Sequence, residues 1–288
     1  MMKYFNLHTH TRFSDGSDNP EEYITEALRQ GFSTLGFTDH SPVPFPNTFA
    51  LPSEGLDDYC REIIDLKNKY SLQSGSGIEI LLGLEIDYIP GITIPISDFR
   101  RDFPFDYVIG SVHLIKNPGV EGLWFIDGPE RSLYETGLKD VFKGDARAAV
   151  TAYFRQLMEM ISGQKPDIIG HLDKVKMYNR GDYFSEEDSW YNSLVDETLG
   201  LIKENGCVVE INTRGLYKKR SESLFPGIDI LKKILQVDIP VTLSSDAHKP
   251  HELSLLFSET LRFLEKLGFK HLACMTGGGW KEIPLISS

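Results

Sequence analysis

Apolar runs of strand length alternate with amphipathic stretches of helix length along the chain, and this alternation limits the fold more than any other feature. Strand-like runs start at Phe5 and continue at 33–37, 78–86, 107–112, 168–170, 207–211 and 239–243. Helical periodicity covers 20–30, 55–70, 145–162, 190–205, 228–236 and 251–267. The first helix shows how its ends are specified. Asp18 or Asn19 can cap it, Pro20 suits the first helical position, Glu21 and Glu22 favour the positive helix end, and Gly31 stops it. The runs at 207–211 and 239–243 are near-continuously apolar, as expected of strands buried on both faces of a parallel sheet. Seven strand–helix units predict an α/β barrel of the TIM type with one unit fewer, and 288 residues fit one such domain.

No repeat, low-complexity tract or linker divides the chain, so 1–288 reads as a single domain with excursions near 41–54, 117–143 and 174–188. The first of these, dense in Pro and Phe, is placed to act as a substrate lid. A net charge of −12 and a pI of about 5.2 argue against a sequence-independent binder of nucleic acid or anionic membrane. Cys60, Cys207 and Cys274 are few and far apart, which predicts buried thiols in a reducing compartment. With no apolar stretch of membrane-spanning length and no leader-like segment, the expected location is cytoplasmic.

In barrels of this type the chemistry gathers at the C-terminal strand ends. Here those ends carry His8 and His10, then His40, Glu85, His113, His171, Arg214, and finally Asp246 and His248. His8 and His10 lie two apart on an extended strand and so project to one face, with Asp15 on the loop just beyond. A lone pair of this kind is a weak chelate motif. Six of the eight histidines falling on one rim, mixed with carboxylates, predict a multinuclear metal site. Imidazole with carboxylate and no thiolate suits Zn, Mn or Fe, and a carboxylate such as Glu85 can bridge two ions.

His8-Thr9-His10 with Ser14-Asp15-Gly16, Thr38-Asp39-His40, Gly83-Leu84-Glu85-Ile86-Asp87, Gly110-Ser111-Val112-His113, Gly170-His171 and Ser245-Asp246-Ala247-His248 resemble, in order and spacing, the PHP (polymerase and histidinol phosphatase) family. The resemblance runs from Phe5 to about His251. It implies a distorted (β/α)7 barrel with the site at the C-terminal strand ends and two to three divalent metal ions. It also implies a ligand assignment. His8, His10, Glu85 and Asp246 would hold one ion, Glu85, His113 and His171 a second, and Asp15, His40 and His248 a third. Many family members have His where this chain has Asp15, a departure that bears on metal preference at the third site.

The reaction so implied is hydrolysis of a small phosphomonoester, with histidinol phosphate the favoured substrate, by in-line attack of a metal-bridging hydroxide. Phosphate-binding cations are sought on the same rim, with Arg214 first because guanidinium binds phosphate bidentately, Lys176 second and Lys218 third. His40 or a metal-held water is the candidate general acid. Asp39 and Asp87, next to proposed ligands, can orient imidazoles or serve as caps and ion-pair partners. The competing readings are another phosphomonoester, a nucleotide phosphodiester, a phosphotyrosyl protein, or a metal-binding module without catalysis. The partner expected throughout is a small phosphorylated molecule, with neither nucleic acid nor membrane.

Overall fold

The computed structural model describes residues 4–70 and 77–285. Its centre is a sheet of seven strands: β1 (Phe5–Asn6), β2 (Thr34–Phe37), β3 (Glu79–Asp87), β4 (Tyr107–Ser111), β7 (Ile168–Ile169), β8 (Val208–Asn212) and β9 (Val241–Ser244), in that order and all parallel. The sheet curls until its first and last strands face each other. Past their ends the backbone joins across the gap, with His10 N–H donating to Ala247 O at 2.8 Å and Ala247 N–H to His8 O at 3.2 Å. The barrel therefore closes at the C-terminal rim, among the residues that carry the histidines.

The helices α1 (Pro20–Arg29), α2 (Leu56–Lys69), α3 (Ile96–Asp102), α5 (Ala146–Gln164), α6 (Ser189–Asn205), α8 (Ile228–Val237) and α9 (Phe257–Leu267) connect successive strands or follow the last. Their apolar stripes pack on the outside of the sheet, so strands such as β3, buried along nearly its whole length, read as the unbroken apolar runs seen in the sequence. Inside the barrel, Tyr107 crosses beneath β2 to donate its hydroxyl to Leu7 O at 2.7 Å. That crossing requires Gly36, where a Cβ would lie 1.9 Å from the Tyr107 hydroxyl.

Several segments differ from the sequence reading. The 117–143 excursion is ordered: a hairpin of β5 (Leu114–Lys116) and β6 (Leu123–Phe125) leads into α4 (Arg131–Phe142). Asn19 sits at the N-cap of α1, but its side chain makes no cap hydrogen bond. Helix α5 runs past Gly163, because one glycine in a last turn costs only about 1 kcal/mol. The predicted helix at 251–267 begins only at Phe257, since Leu256 takes a left-handed φ of 65° that a helix cannot pass through. A short α7 (Arg214–Tyr217) follows β8 directly. Beyond α9, the antiparallel pair β10 (His271–Thr276) and β11 (Gly279–Pro284) packs under the N-terminal strand ends, where Gly277 N–H donates to Glu79 at 2.7 Å. The hairpin blocks that end of the barrel, which leaves the opposite rim as the open one.

Candidate metal centre

All nine candidate ligands meet on the open rim. Glu85 stands at their middle and turns its two oxygens in different directions. Oε2 lies 3.2 Å from His8 Nε2 and 3.3 Å from His10 Nε2, and His10 Nε2 is also 3.3 Å from Asp246 Oδ1. Oε1 lies 3.1 Å from His171 Nε2 and 3.8 Å from His113 Nε2, with those two nitrogens 2.9 Å apart. A third group stands toward solvent. Asp15 Oδ1 is 3.1 Å from His248 Nε2 and 3.9 Å from His40 Nε2. Among the described residues, the donor atoms of His8, His10 and Asp246, of Glu85, His113 and His171, and of His10, Asp15, His40 and His248 each lie within 4.8 Å of one another.

Buried polar atoms ordinarily find partners, because an unpaired one costs roughly 1–3 kcal/mol. Among the described residues, His8 Nε2, His10 Nε2 and Asp246 Oδ1 are buried with no hydrogen-bond partner, and all three point into the same space. Charge tells the same story. Asp15, Glu85, Asp87, Asp127, Glu210 and Asp246 cluster around the imidazoles, with Lys174 and Arg214 as the neighbouring fixed cations. Burial alone would raise Glu85, yet His8, His40 and His113 hold its carboxyl well below the usual range. Burial would lower His8, yet Glu210, Glu85 and Asp246 hold it well above its ordinary value. Such a cluster takes up positive charge, as protons or as divalent ions, and its donor set is that of a hard-to-borderline metal site.

The imidazoles are aimed from behind. Glu210 Oε1 lies 2.5 Å from His8 Nδ1, and Glu210 Oε2 accepts from His171 N–H at 2.7 Å and from Asn212 Nδ2 at 3.1 Å. Asp87 does the same for two more rings, meeting His40 Nδ1 at 3.0 Å and also bonding His113 Nδ1. A carboxylate on Nδ1 sets the tautomer that leaves the Nε2 lone pair facing the site. His171 and Asp246 also have left-handed backbones, with φ of 26° and 52°, a strain the surrounding bonds must sustain. Asp39 contacts no imidazole. It accepts from Thr11 N–H, Ser14 N–H and the Ser14 hydroxyl at 2.8, 3.0 and 2.6 Å, and so ties down the loop that presents Asp15. Gly16 completes that turn, since a Cβ there would lie 2.2 Å from His10 O.

The cations separate. Arg214 lies against Asp246, donating from Nη1 to its carbonyl at 2.8 Å, and among the described residues every hydrogen bond of its guanidinium uses Nη1. Lys176 is buried in an ion pair with Asp173 at 2.7 Å and a second with Glu186 at 3.3 Å, with none of the nine candidate ligands among its partners. Lys218 pairs with Glu252 at 2.5 Å. Lys174, passed over in the sequence, holds Asp127 at 2.9 Å, and Asp127 in turn lies 3.7 Å from His113 Nε2. Glu210, Asp127 and Lys174 are the site residues that sequence reasoning missed. Glu210 did leave a signal, as a lone acid in a buried parallel strand.

The PHP domain model matches residues 6–214. A probable histidinol-phosphatase of Deinococcus radiodurans is 28% identical over 264 residues, covering 91% of this chain and 92% of its own. The histidinol-phosphatase of Lactococcus lactis subsp. lactis is 29% identical over 281 residues, covering 96% of each. A crystal structure of a histidinol phosphate phosphatase from Lactococcus lactis subsp. lactis, complexed with zinc, L-histidinol and phosphate, superposes with a TM-score of 0.71 at 24% identity, over 98% of this chain and all of the other.

Proposed function

The chain belongs to the PHP-domain family, and from that premise we propose that it is a metal-dependent phosphomonoesterase that cleaves histidinol phosphate to histidinol and phosphate. One observation carries the chemistry: Glu85 offers one oxygen to the His8–His10 pair and the other to the His113–His171 pair, the posture of a carboxylate shared by two ions. His8, His10 and Asp246, with Glu85 Oε2 beside both imidazoles, would hold one cation, Glu85, His113 and His171 a second, and Asp15, His40 and His248 a third. Bound there, divalent ions supply Lewis acidity toward the phosphoryl oxygens and an attacking water.

The chain's own groups do the rest. Among the described residues no partner bonds Nε or Nη2 of Arg214, so its guanidinium can take a phosphate oxygen pair beside Asp246. Lys174, balanced by Asp127 next to His113, is a better second phosphate contact than Lys176, whose ammonium is engaged by Asp173 and Glu186. Because Asp87 holds the Nδ1 of His40 and leaves its Nε2 lone pair facing the site, a water at the third group, rather than His40 itself, would pass a proton to the leaving alkoxide. The choice of histidinol phosphate rests on likeness to histidinol-phosphatases over nine-tenths or more of both chains.

Protein purified without chelator should carry about two or more equivalents of divalent metal. It should hydrolyse histidinol phosphate in preference to p-nitrophenyl phosphate, a phosphodiester and a phosphotyrosyl peptide. Less metal together with no hydrolysis of any of the four would defeat the enzyme reading. Turnover of the diester alone would defeat the choice of substrate.

A further inference from the structure

Two separate excursions bring one phenylalanine each to the rim beside His40 and His113. Phe49 comes from the Pro-rich loop after β2, and its ring meets the His40 ring edge-on, centroids 5.4 Å apart at 83°. Phe125 ends β6, and its ring stacks on Phe49 at 5.8 Å and 15°. Neither position is incidental. Asn47 Oδ1 accepts from Phe49 N–H at 3.0 Å and from Ala50 N–H at 2.7 Å, and Leu51 N–H donates to His40 O at 3.0 Å. Phe125 pairs across its hairpin with Leu114, the neighbour of His113, and Ile126 N–H donates to His113 O at 3.0 Å. The stacked rings thus stand over His40 and His113, whose own rings are 5.2 Å apart. Both phenylalanines remain partly open to solvent.

We propose that Phe49 and Phe125 form the leaving-group wall of the site, a subsite for a flat ring carried a short carbon chain away from the phosphate. The inference rests on the phosphomonoesterase reading above and adds which part of the substrate these residues select. The metal donors, Arg214 and Lys174 all address the phosphate end and say nothing about the alcohol. The aromatic pair offers an apolar surface beside His40, and offset stacking is the contact two rings leave open to a third. Ring faces are negative, so a cationic heterocycle such as imidazolium gains further there. Because the two rings come from separate excursions, the wall is complete only when both loops are seated.

The test compares 3-phenylpropyl phosphate with propyl phosphate, which share a three-carbon alkoxide and differ only in the ring, alongside histidinol phosphate. Phe49→Leu and Phe125→Leu keep apolar bulk and remove the ring face, so they serve where alanine variants misfold. The ratio of kcat/KM for the phenylpropyl over the propyl ester should fall roughly tenfold in each, mainly through KM. A mere latch between the loops would lower both esters alike and leave the ratio unmoved, and that result would overturn the wall. If the wild type ignores histidinol phosphate while the ring ratio still falls in the variants, the choice of substrate fails and the wall stands. If histidinol phosphate is hydrolysed but the ratio does not move, the wall fails alone.

Discussion

The deep and outer sides of the metal centre are built differently, though both are made of imidazole and carboxylate. On the deep side the side chains of His8, His10, Glu85, His171 and Asp246 are at most 5% exposed. Glu210 aims two of the deep residues, and Asp87 a third, His113. On the outer side Asp15 is 31% and His248 12% exposed. His248 is held through Nδ1 by a backbone carbonyl, Asp246 O at 3.1 Å, while Asp15 depends on a loop tied to Asp39. Burial, His248 and His40 all act on Asp15, and the imidazoles prevail, holding its carboxyl well below the usual range. The deep pair of groups is preorganised by fixed carboxylates; in the outer group Asp87 holds His40, but Asp15 and His248 rest on a loop and a backbone carbonyl. Metal affinity should therefore be graded from inside to outside.

Glu85 belongs to both deep groups and sits 3.2 Å from the outer His40, so its loss should erase the gradient. Glu85→Ala is expected to lower kcat/KM roughly a thousandfold and to strip tightly held metal, read by steady-state kinetics and elemental analysis. Full metal content in that variant would mean that the sharing of Glu85 is not what builds the centre.

Glu210 and Asp39 separate the two sides. Glu210→Gln keeps the shape but removes the charge behind His8 and one of the two acceptor oxygens that serve His8 Nδ1 and His171 N–H, and should weaken the tight binding steps about 10- to 100-fold. Asp39→Ala frees the 11–16 loop and should weaken only the loosest step, with the deep cations retained. Competition titrations with a calibrated chelator resolve the steps. Equal effects of the two substitutions on every step would abolish the distinction between an anchored and a loop-built side.

The parts of the molecule legible in the sequence were those written locally. The strands show because parallel strands covered on both faces must be apolar, and eight of the nine candidate ligands, all but the loop residue Asp15, stand out because strand ends are marked by where apolar runs stop. The β10–β11 hairpin was missed because its second strand is mostly exposed and carries no alternating stripe. Asp127 and Lys174 were missed because the ion pair joins a hairpin to a turn far along the chain, and neither local pattern points to the other. Lys176 looked like the rim cation by spacing alone. Only the fold shows that the three-residue step from Asp173 spends its charge inside the protein. Asp39 is the subtler case, since its neighbour His40 suggested an imidazole partner, while its oxygens turn to the backbone of Thr11 and Ser14.

The smallest effect concerns protons standing in for metal. In the metal-free protein burial works against a charged His40, but Glu85 and Asp87 outweigh it and push the imidazole up to about 10. His10 goes the other way, lowered to about 3 by burial and by the neighbouring His248 and His40. A folded-state value above the ordinary 6.5 stabilises the fold fully below that pH and loses its contribution as pH rises toward about 10. A folded-state value below 6.5 destabilises the fold at low pH, and stability returns as pH rises from about 3. Chelator-treated protein should therefore lose thermal stability between neutral pH and about 10, where zinc-loaded protein should not, because the cation has taken the place of the His40 proton. Zinc added to stripped protein in weak buffer near pH 7 should release protons for the same reason. A chelated protein whose Tm climbs across that alkaline window would show that His40 is already neutral there, and the outer side would then be preformed rather than waiting on its ion.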